Sequence, residues 1–216
     1  MTSLLPWAII PVKELQGAKQ RLTPALSLED RHELAQLMLT EVLQALADTR
    51  GLAGVLLVTL DPFATACAAR HGFSVTTNGA RAGHTGAVDA GRALLANQAA
   101  VLTIPGDIPA VTATEIEALL AAHQPAPSFT IAPAHDQQGS NAVLLSPPGS
   151  VALRFGDGSY FPHLAAARAQ GIEPTIVTLP GLAMDIDTPA DLHSFMALPE
   201  ARRTRTYAWL REHGLG

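Results

Sequence analysis

The sequence predicts an α/β protein: a three-layer sandwich built on a mostly parallel sheet. Short apolar runs such as Trp7–Val12, Gly54–Thr59 and Ala100–Ile104 lack polar alternation, as strands buried on both faces require. Helical patterns with recognisable start signals lie between them. Strands alternating with helices at this spacing form crossovers that cover a sheet on both sides.

Taken in order, Trp7–Val12 is the first strand, followed by a polar loop carrying Lys13, Gly17, Lys19 and Arg21. Ser27 with Asp30 three residues on resembles a capping box, and Leu34, Leu37, Met38, Val42, Ala45 and Leu46 mark one face of a long helix. Gly54–Thr59 is the second strand. Asp61-Pro62 starts a helix that runs to Arg70, with Gly72 as its stop. Phe73–Thr76 is a third, short strand, and Asn78-Gly79 and Gly83 open a loop before a helix over Thr85–Leu95. Ala100–Ile104 is a strand stopped by Pro105-Gly-Asp-Ile-Pro109, and Thr112 with Glu115 opens a helix through Leu120. Phe129–Ala132 and Ala142–Leu145 are two further strands, whose direction the pattern leaves open. Pro162 starts a helix ending near Gly171, Pro174–Leu179 is a late strand, and Thr188-Pro189 starts a helix carrying Leu192, Phe195 and Met196. The tail Ala201–Gly216 sets Tyr207, Trp209 and Leu210 among arginines, as an amphipathic helix packing on its own domain or at a homodimer interface would. The whole of 1–216 reads as one domain with 201–216 as its helical tail.

Composition narrows the function classes. With 48% apolar and 15% charged residues, the 216-residue chain can bury a substantial core. A net charge of -5 argues against a general nucleic-acid surface, which needs a basic face. Neither a signal peptide nor an apolar run of membrane-spanning length is present, so the expected protein is soluble, cytoplasmic and not membrane-bound. Cys67, the one cysteine, falls in an Ala-rich helical pattern and reads as a structural thiol.

Charged residues concentrate where ligands gather in such sheets, beyond the C-terminal strand ends. Lys13 and Lys19 are the chain's only lysines, and with Arg21 they share the loop after the first strand. Fixed positive charge beside backbone N–H groups suits a triphosphate, although the loop lacks the G-x-x-x-x-G-K-[ST] pattern of a P-loop. Asp107 follows a strand, where a carboxylate suits Mg2+ or merely an Asx-type turn beside Pro109. Asp185 and Asp187, two apart on an extended segment, point to one face and repel each other unless a positive group lies between them. One of them, Asp187, is equally placed to cap the helix at Thr188. Asp107, Asp185 and Asp187 together form the expected metal set, with Lys13, Lys19 and Asp107 expected to carry catalysis.

A second concentration is Leu153–His163, flanked by Gln138-Gly-Ser-Asn141 and Met184-Asp-Ile-Asp187. Gly139, Ser140, Gly156 and Ser159 offer backbone N–H and hydroxyl donors for a phosphate or carboxylate, or serve simply as turn residues. His163, just after Pro162, is placed to hydrogen-bond an anion at a helix N-terminus, or is simply a structural histidine. No G-x-S-x-G elbow is present, whereas cation-assisted nucleotidyl transfer needs positioning and charge neutralisation and no protein nucleophile.

These fragments, in this order, resemble the 2-phospho-L-lactate guanylyltransferase family of coenzyme F420 biosynthesis, including its phosphoenolpyruvate-using members. The resemblance runs from about Trp7 to Phe195. It is carried by Pro11-Val-Lys13 with Ala18-Lys-Gln-Arg-Leu22, Pro105-Gly-Asp-Ile-Pro109, Gln138-Gly-Ser-Asn-Ala142, Phe155-Gly-Asp-Gly-Ser159 with His163, and Asp185-Ile-Asp-Thr-Pro189. It implies a glycosyltransferase-A-like nucleotidyltransferase fold, related to the guanylyltransferase of molybdenum-cofactor synthesis. The implied reaction joins GMP from GTP to a phosphorylated three-carbon acid, with Mg2+ as cofactor and pyrophosphate released. By the same resemblance, Asp107, Asp185 and Asp187 match the Mg2+ carboxylates. Lys13, Lys19 and Arg21 match the phosphate loop, and Ser140, Gly156 and Ser159 match the acid-binding positions. The family often reads Gly-Gly-Thr-Asn where this chain has Gln138-Gly-Ser-Asn141, and Gly-Leu-Asn where it has His84-Thr-Gly86. Transfer of another nucleotide, transfer to a sugar or pterin phosphate, and a catalytically silent nucleotide-binding module are the alternative readings.

Overall fold

Seven strands form one sheet in the order β3-β2-β1-β4-β6-β5-β7 in the computed structural model, which describes residues 5–156 and 158–215. Met1–Leu4, Asp157 of the Leu153–His163 stretch and Gly216 of the tail lie outside the described residues. Strand β1 (Trp7–Val12) pairs in parallel with β2 (Gly54–Thr59) and β4 (Val101–Thr103), and β2 pairs in parallel with β3 (Ser74–Thr76). The direction left open by the sequence is now fixed: β6 (Ser140–Ser146) runs antiparallel to both β4 and β5 (Ser128–Pro133). At the far edge, β5 pairs in parallel with β7 (Thr175–Ile176). That strand is shorter than Pro174–Leu179, because Val177 makes a last bond to Ile131 and Pro180 opens the short helix α6 (Pro180–Ala183).

The period-two alternation of β1 divides the core. Ala8, Ile10 and Val12 pack under α1 (Leu28–Asp48), α2 (Pro62–Arg70) and α4 (Ala113–Ala122). Ile9 faces the other way, with Val88 of α3 (Gly83–Leu94) and Leu164 of α5 (Tyr160–Ala169). Cys67 is buried in the first of these clusters.

A third cluster positions the site. Leu22 and Leu26 from the basic loop, Leu34 and Met38 of α1, and Met184 and Ile186 before α7 (Pro189–Ala197) pack together. Trp209 and Leu210 of α8 (Arg205–Glu212) close this cluster, so the tail packs on its own chain. Glu41 of α1 accepts the Arg205 N–H at 2.5 Å and the Thr206 hydroxyl, seating the start of α8. Two segments far apart in sequence, the basic loop and Met184–Asp187, are therefore held by one apolar patch.

Helix starts follow local chemistry. The boxes Ser27/Asp30, Thr112/Glu115 and Thr188/Asp191 all form, and Asp61 caps α2 with Pro62 in its first turn. Helix α5 starts at Tyr160, two residues before the expected Pro162. Proline in the first turn costs no hydrogen bond, because N–H groups there have no intrahelical partner. Among the described residues, no helix is long and apolar enough to cross a membrane.

Candidate active site

The basic loop leaves β1 and is fixed from behind. Leu15 donates its N–H to Asp61 Oδ2 at 2.9 Å, while Asp61 Oδ1 accepts the Ala64 N–H at 2.9 Å. One buried carboxylate thus caps α2 and ties down the loop. On the other side Arg31 Nη1 donates to the Ala18 carbonyl at 3.1 Å. Gly17 (φ 77°) and Lys19 (φ 54°, ψ 42°) both take left-handed backbone, a conformation that disfavours a side chain such as lysine. With its backbone so turned, Lys19 points into a cleft of about 630 Å3 that Lys13 and Arg21 also line.

The acids meet Lys19 there. Its Nζ lies 2.6 Å from Asp107 Oδ2 and 2.6 Å from Asp187 Oδ1, with only 9% of the side chain exposed. Burial alone would lower the Lys19 pKa, but Asp107 and Asp187 outweigh it and hold the ammonium above its ordinary value. Burial likewise works to raise Asp187, yet Lys19, with smaller contributions from Arg21 and Lys13, keeps it below the usual carboxylate range. Asp187 is released for this contact because Thr188 caps α7, accepting the Asp191 N–H at 3.3 Å. Asp191 Oδ2 in turn accepts the N–H groups of Asp187 and Thr188. The acidic segment is clipped to the β4 loop by the Ile186 N–H, which donates to the Asp107 carbonyl at 3.2 Å.

Asp185 stands in a different setting. It is pushed up to about 6, first by burial and then by Asp107 and Asp187, against the lowering effect of a hydrogen bond from Asn141. Asn141 Nδ2 donates to Asp185 Oδ1 at 3.0 Å and to the carbonyls of Leu182 and Ala183 at 3.1 Å each. His135 lies beside the same group, its Nδ1 4.0 Å from Asp185 and its Nε2 3.6 Å from Asp191. The three carboxylates expected as a metal set are thus brought together, but not as a ready-made chelate. Among the described residues no three His, Cys, Asp or Glu groups are arranged to hold a metal ion. The reason is visible: the Lys19 ammonium supplies the positive charge between Asp107 and Asp187.

Beyond the acids a second lobe of about 570 Å3 opens, lined by Ser140, Gly156, Ser159, His135 and Asp185. Arg21, His84, Pro105, Asp107 and Asp187 line both lobes, so the two are halves of one cleft joined at the acids. Gly156 takes φ 140°, and an added Cβ would meet only open space, so backbone geometry requires the glycine there. Gln138, where the family often has glycine, is spared that demand, because the left-handed residue is its neighbour Gln137 (φ 57°).

His163 departs from the anion-binding expectation and takes the structural alternative. It is 1% exposed and does not line the cleft. Because α5 begins at Tyr160, His163 lies within its first turn and faces inward. Its Nδ1 is 2.9 Å from Ser140 Oγ and its Nε2 accepts the Arg154 N–H at 2.9 Å. His84 does line the cleft. It packs on Phe155 at 4.7 Å, and burial lowers its pKa, opposed by Asp107 and helped by Lys13.

Sequence reasoning misses His135, Asn141 and Asp191 as site residues, marks His84 only as a departure from the family's Gly-Leu-Asn, and reads Asp61 only as a cap. Asn141 lies inside the Gln138-Gly-Ser-Asn141 stretch, and the spacing of Thr188 to Asp191 is the signal that Asp187 need not cap. His135 carries no such pattern.

A family model described as guanylyl transferase CofC like matches residues 7–216. The chain belongs to that family. It is 38% identical over 192 residues to a phosphoenolpyruvate guanylyltransferase of Sphaerobacter thermophilus, covering 86% of this chain and 89% of the relative. A 3-phospho-D-glycerate guanylyltransferase of Colwellia psychrerythraea is 36% identical, over 85% of this chain and 88% of that one. A 2-phospho-L-lactate guanylyltransferase of Methanothermobacter thermautotrophicus is 32% identical, over 93% and 88%. Among solved structures, a nucleotidyl transferase from the latter genus matches with a TM-score of 0.65 at 15% identity, covering 96% of this chain and 99% of that one. That likeness supports the nucleotidyltransferase fold.

Proposed function

We propose that this chain transfers GMP from GTP to a phosphorylated three-carbon acid with release of pyrophosphate, as a Mg2+-dependent step of coenzyme F420 biosynthesis. The observation that carries this reading is the two-lobed cleft whose halves meet at Asp107 and Asp187, both held by Lys19. Family membership supports guanylyl transfer, and the relatives' names define the acids to try: phosphoenolpyruvate, 2-phospho-L-lactate and 3-phospho-D-glycerate.

The basic lobe takes the nucleotide. Lys13, Lys19 and Arg21 neutralise the triphosphate, held in place by Asp61 and Arg31 behind the loop. The second lobe takes the acid, with the hydroxyls of Ser140 and Ser159 and the backbone at Gly156 as its donors. A phosphate oxygen of the acid attacks the α-phosphorus of GTP, the bond from that phosphorus to the bridging oxygen breaks, and pyrophosphate leaves. The nucleophile is already an anion, so no protein base is needed and catalysis rests on alignment and charge.

In donor chemistry, though not as a ready-made chelate, the residues fit a hard divalent cation. Asp107, Asp185 and Asp187 offer carboxylate oxygens, and a cation beside Asp185 would offset both the burial and the lesser repulsion from Asp107 and Asp187 that hold it up. When bound, Mg2+ would supply charge neutralisation at the reacting phosphates. The Lys19 ammonium marks where positive charge is wanted between Asp107 and Asp187.

Asp107→Asn and Asp187→Asn each test this reading. Pyrophosphate release with GTP, Mg2+ and the three acids should fall by about 100-fold or more in both variants. Full activity in both would overturn the assignment of the acidic cluster.

A further inference from the structure

We propose that His163 is a positioning residue for the acceptor lobe: a neutral imidazole with its proton on Nδ1 that fixes a serine hydroxyl proton toward the cleft. The inference rests on the functional reading above for what the hydroxyl binds, but its geometry stands by itself.

The tautomer follows from the partners. A backbone N–H only donates, so the Arg154 N–H at 2.9 Å from Nε2 requires Nε2 to be the acceptor. The neutral ring then carries its proton on Nδ1, which donates to Ser140 Oγ at 2.9 Å. Ser140 Oγ also lies 3.2 Å from Ser159 Oγ. Whichever hydroxyl donates within that serine pair, one of the two O–H protons is left over. Both serines line the acceptor lobe, so the spare donor is available to an anionic oxygen there.

The same ring joins two segments of the site. Through Nε2 it holds the Arg154 backbone, two residues before Gly156. Through Nδ1 it holds Ser140 at the start of β6. Phe155 packs edge-on against it, ring centroids 5.0 Å apart, and is itself tied to Thr85, whose Oγ1 accepts the Phe155 N–H at 3.0 Å. A ring with a proton on Nε2, whether reversed tautomer or imidazolium, would set two donors face to face at Arg154. Burial, followed by the nearby His84, independently favours the neutral ring and holds the His163 pKa down to about 4.

Two amide side chains separate the functions of the two ring nitrogens. Asparagine places an N–H near the Nδ1 position and can still donate to Ser140. Glutamine reaches the Nε2 position and can still accept from Arg154, but loses Ser140. His163→Gln should therefore raise the KM for the acid by about ten-fold or more, the value of one hydrogen bond to a charged group, with the KM for GTP nearly unchanged. His163→Asn should recover most of that loss, and in a Ser140→Ala background His163→Gln should add little further. Equal losses in the two variants, or an unchanged acid KM in His163→Gln, would overturn the assignment. Imidazole 15N shifts of the substrate-free wild-type protein give a reading that needs no turnover and no variant. They should show a neutral ring protonated on Nδ1, and a proton on Nε2 near neutral pH would overturn the inference. If no acid reacts with the wild type, the functional reading fails, while the 15N spectrum still decides the ring's role in the fold.

Discussion

Asp61 joins fold to function through two hydrogen bonds, and its removal has a calculable cost. Truncation to alanine deletes the cap of α2, worth about 1 kcal/mol. It also leaves the buried N–H of Leu15 without its acceptor, worth about 1–3 kcal/mol. Asp61→Ala should therefore destabilise the protein by about 2–4 kcal/mol, read as a lowered midpoint in urea with an unchanged slope. Asp61→Ser keeps a capping oxygen for Ala64 but does not also reach Leu15, so it should recover only the cap's share. Both variants free the basic loop from behind. The KM for GTP should rise several-fold in each, measured where the protein remains folded, while the KM for the acid stays put. A stability change below about 0.5 kcal/mol in Asp61→Ala, the level of an ordinary surface substitution, would refute the reasoning. So would an unaltered GTP KM in Asp61→Ser.

Three further outcomes are expected. His163 has a folded pKa of about 4 against an ordinary 6.5, so the folded state binds fewer protons between these values than the unfolded chain. Its contribution is complete above about pH 6.5 and lost as the pH falls toward 4, up to about 3 kcal/mol. Urea midpoints over that range should fall more steeply for wild type than for His163→Gln, and parallel curves would contradict this. Gly156→Ala places a side chain at φ 140° and should raise the acid KM through about 1–3 kcal/mol of backbone strain without affecting the GTP KM. Gly181→Ala drives a Cβ into the Ala110 carbonyl and the Glu115 carboxylate and should cost at least about 2 kcal/mol in urea denaturation.

What was legible in the sequence was what is local. The apolar runs of β1, β2 and β4 and the boxes at Ser27, Thr112 and Thr188 each sit within a few residues, so pattern and chemistry locate them. The direction of β6 depends on which strands lie beside it in space, which no period within Ala142–Leu145 encodes. The same limit applies at the site. Lys19 contacts acids 88 and 168 residues away, through a left-handed backbone at a non-glycine position that carries no sequence signature. Asp61 was readable as a cap from Pro62 beside it, but its bond to Leu15 spans 46 residues. His163 was visible as a histidine near a helix start. Its inward face became apparent only when α5 proved to begin at Tyr160.

The most direct measurement of the central claim is product analysis by mass spectrometry with Mg2+ and each nucleoside triphosphate against the three acids. The account predicts a guanosine diphospho-acid formed in step with pyrophosphate for at least one acid, with GTP clearly preferred. Pyrophosphate release with CTP, UTP or ATP but not GTP, or no product from any pair by a folded protein, would contradict it.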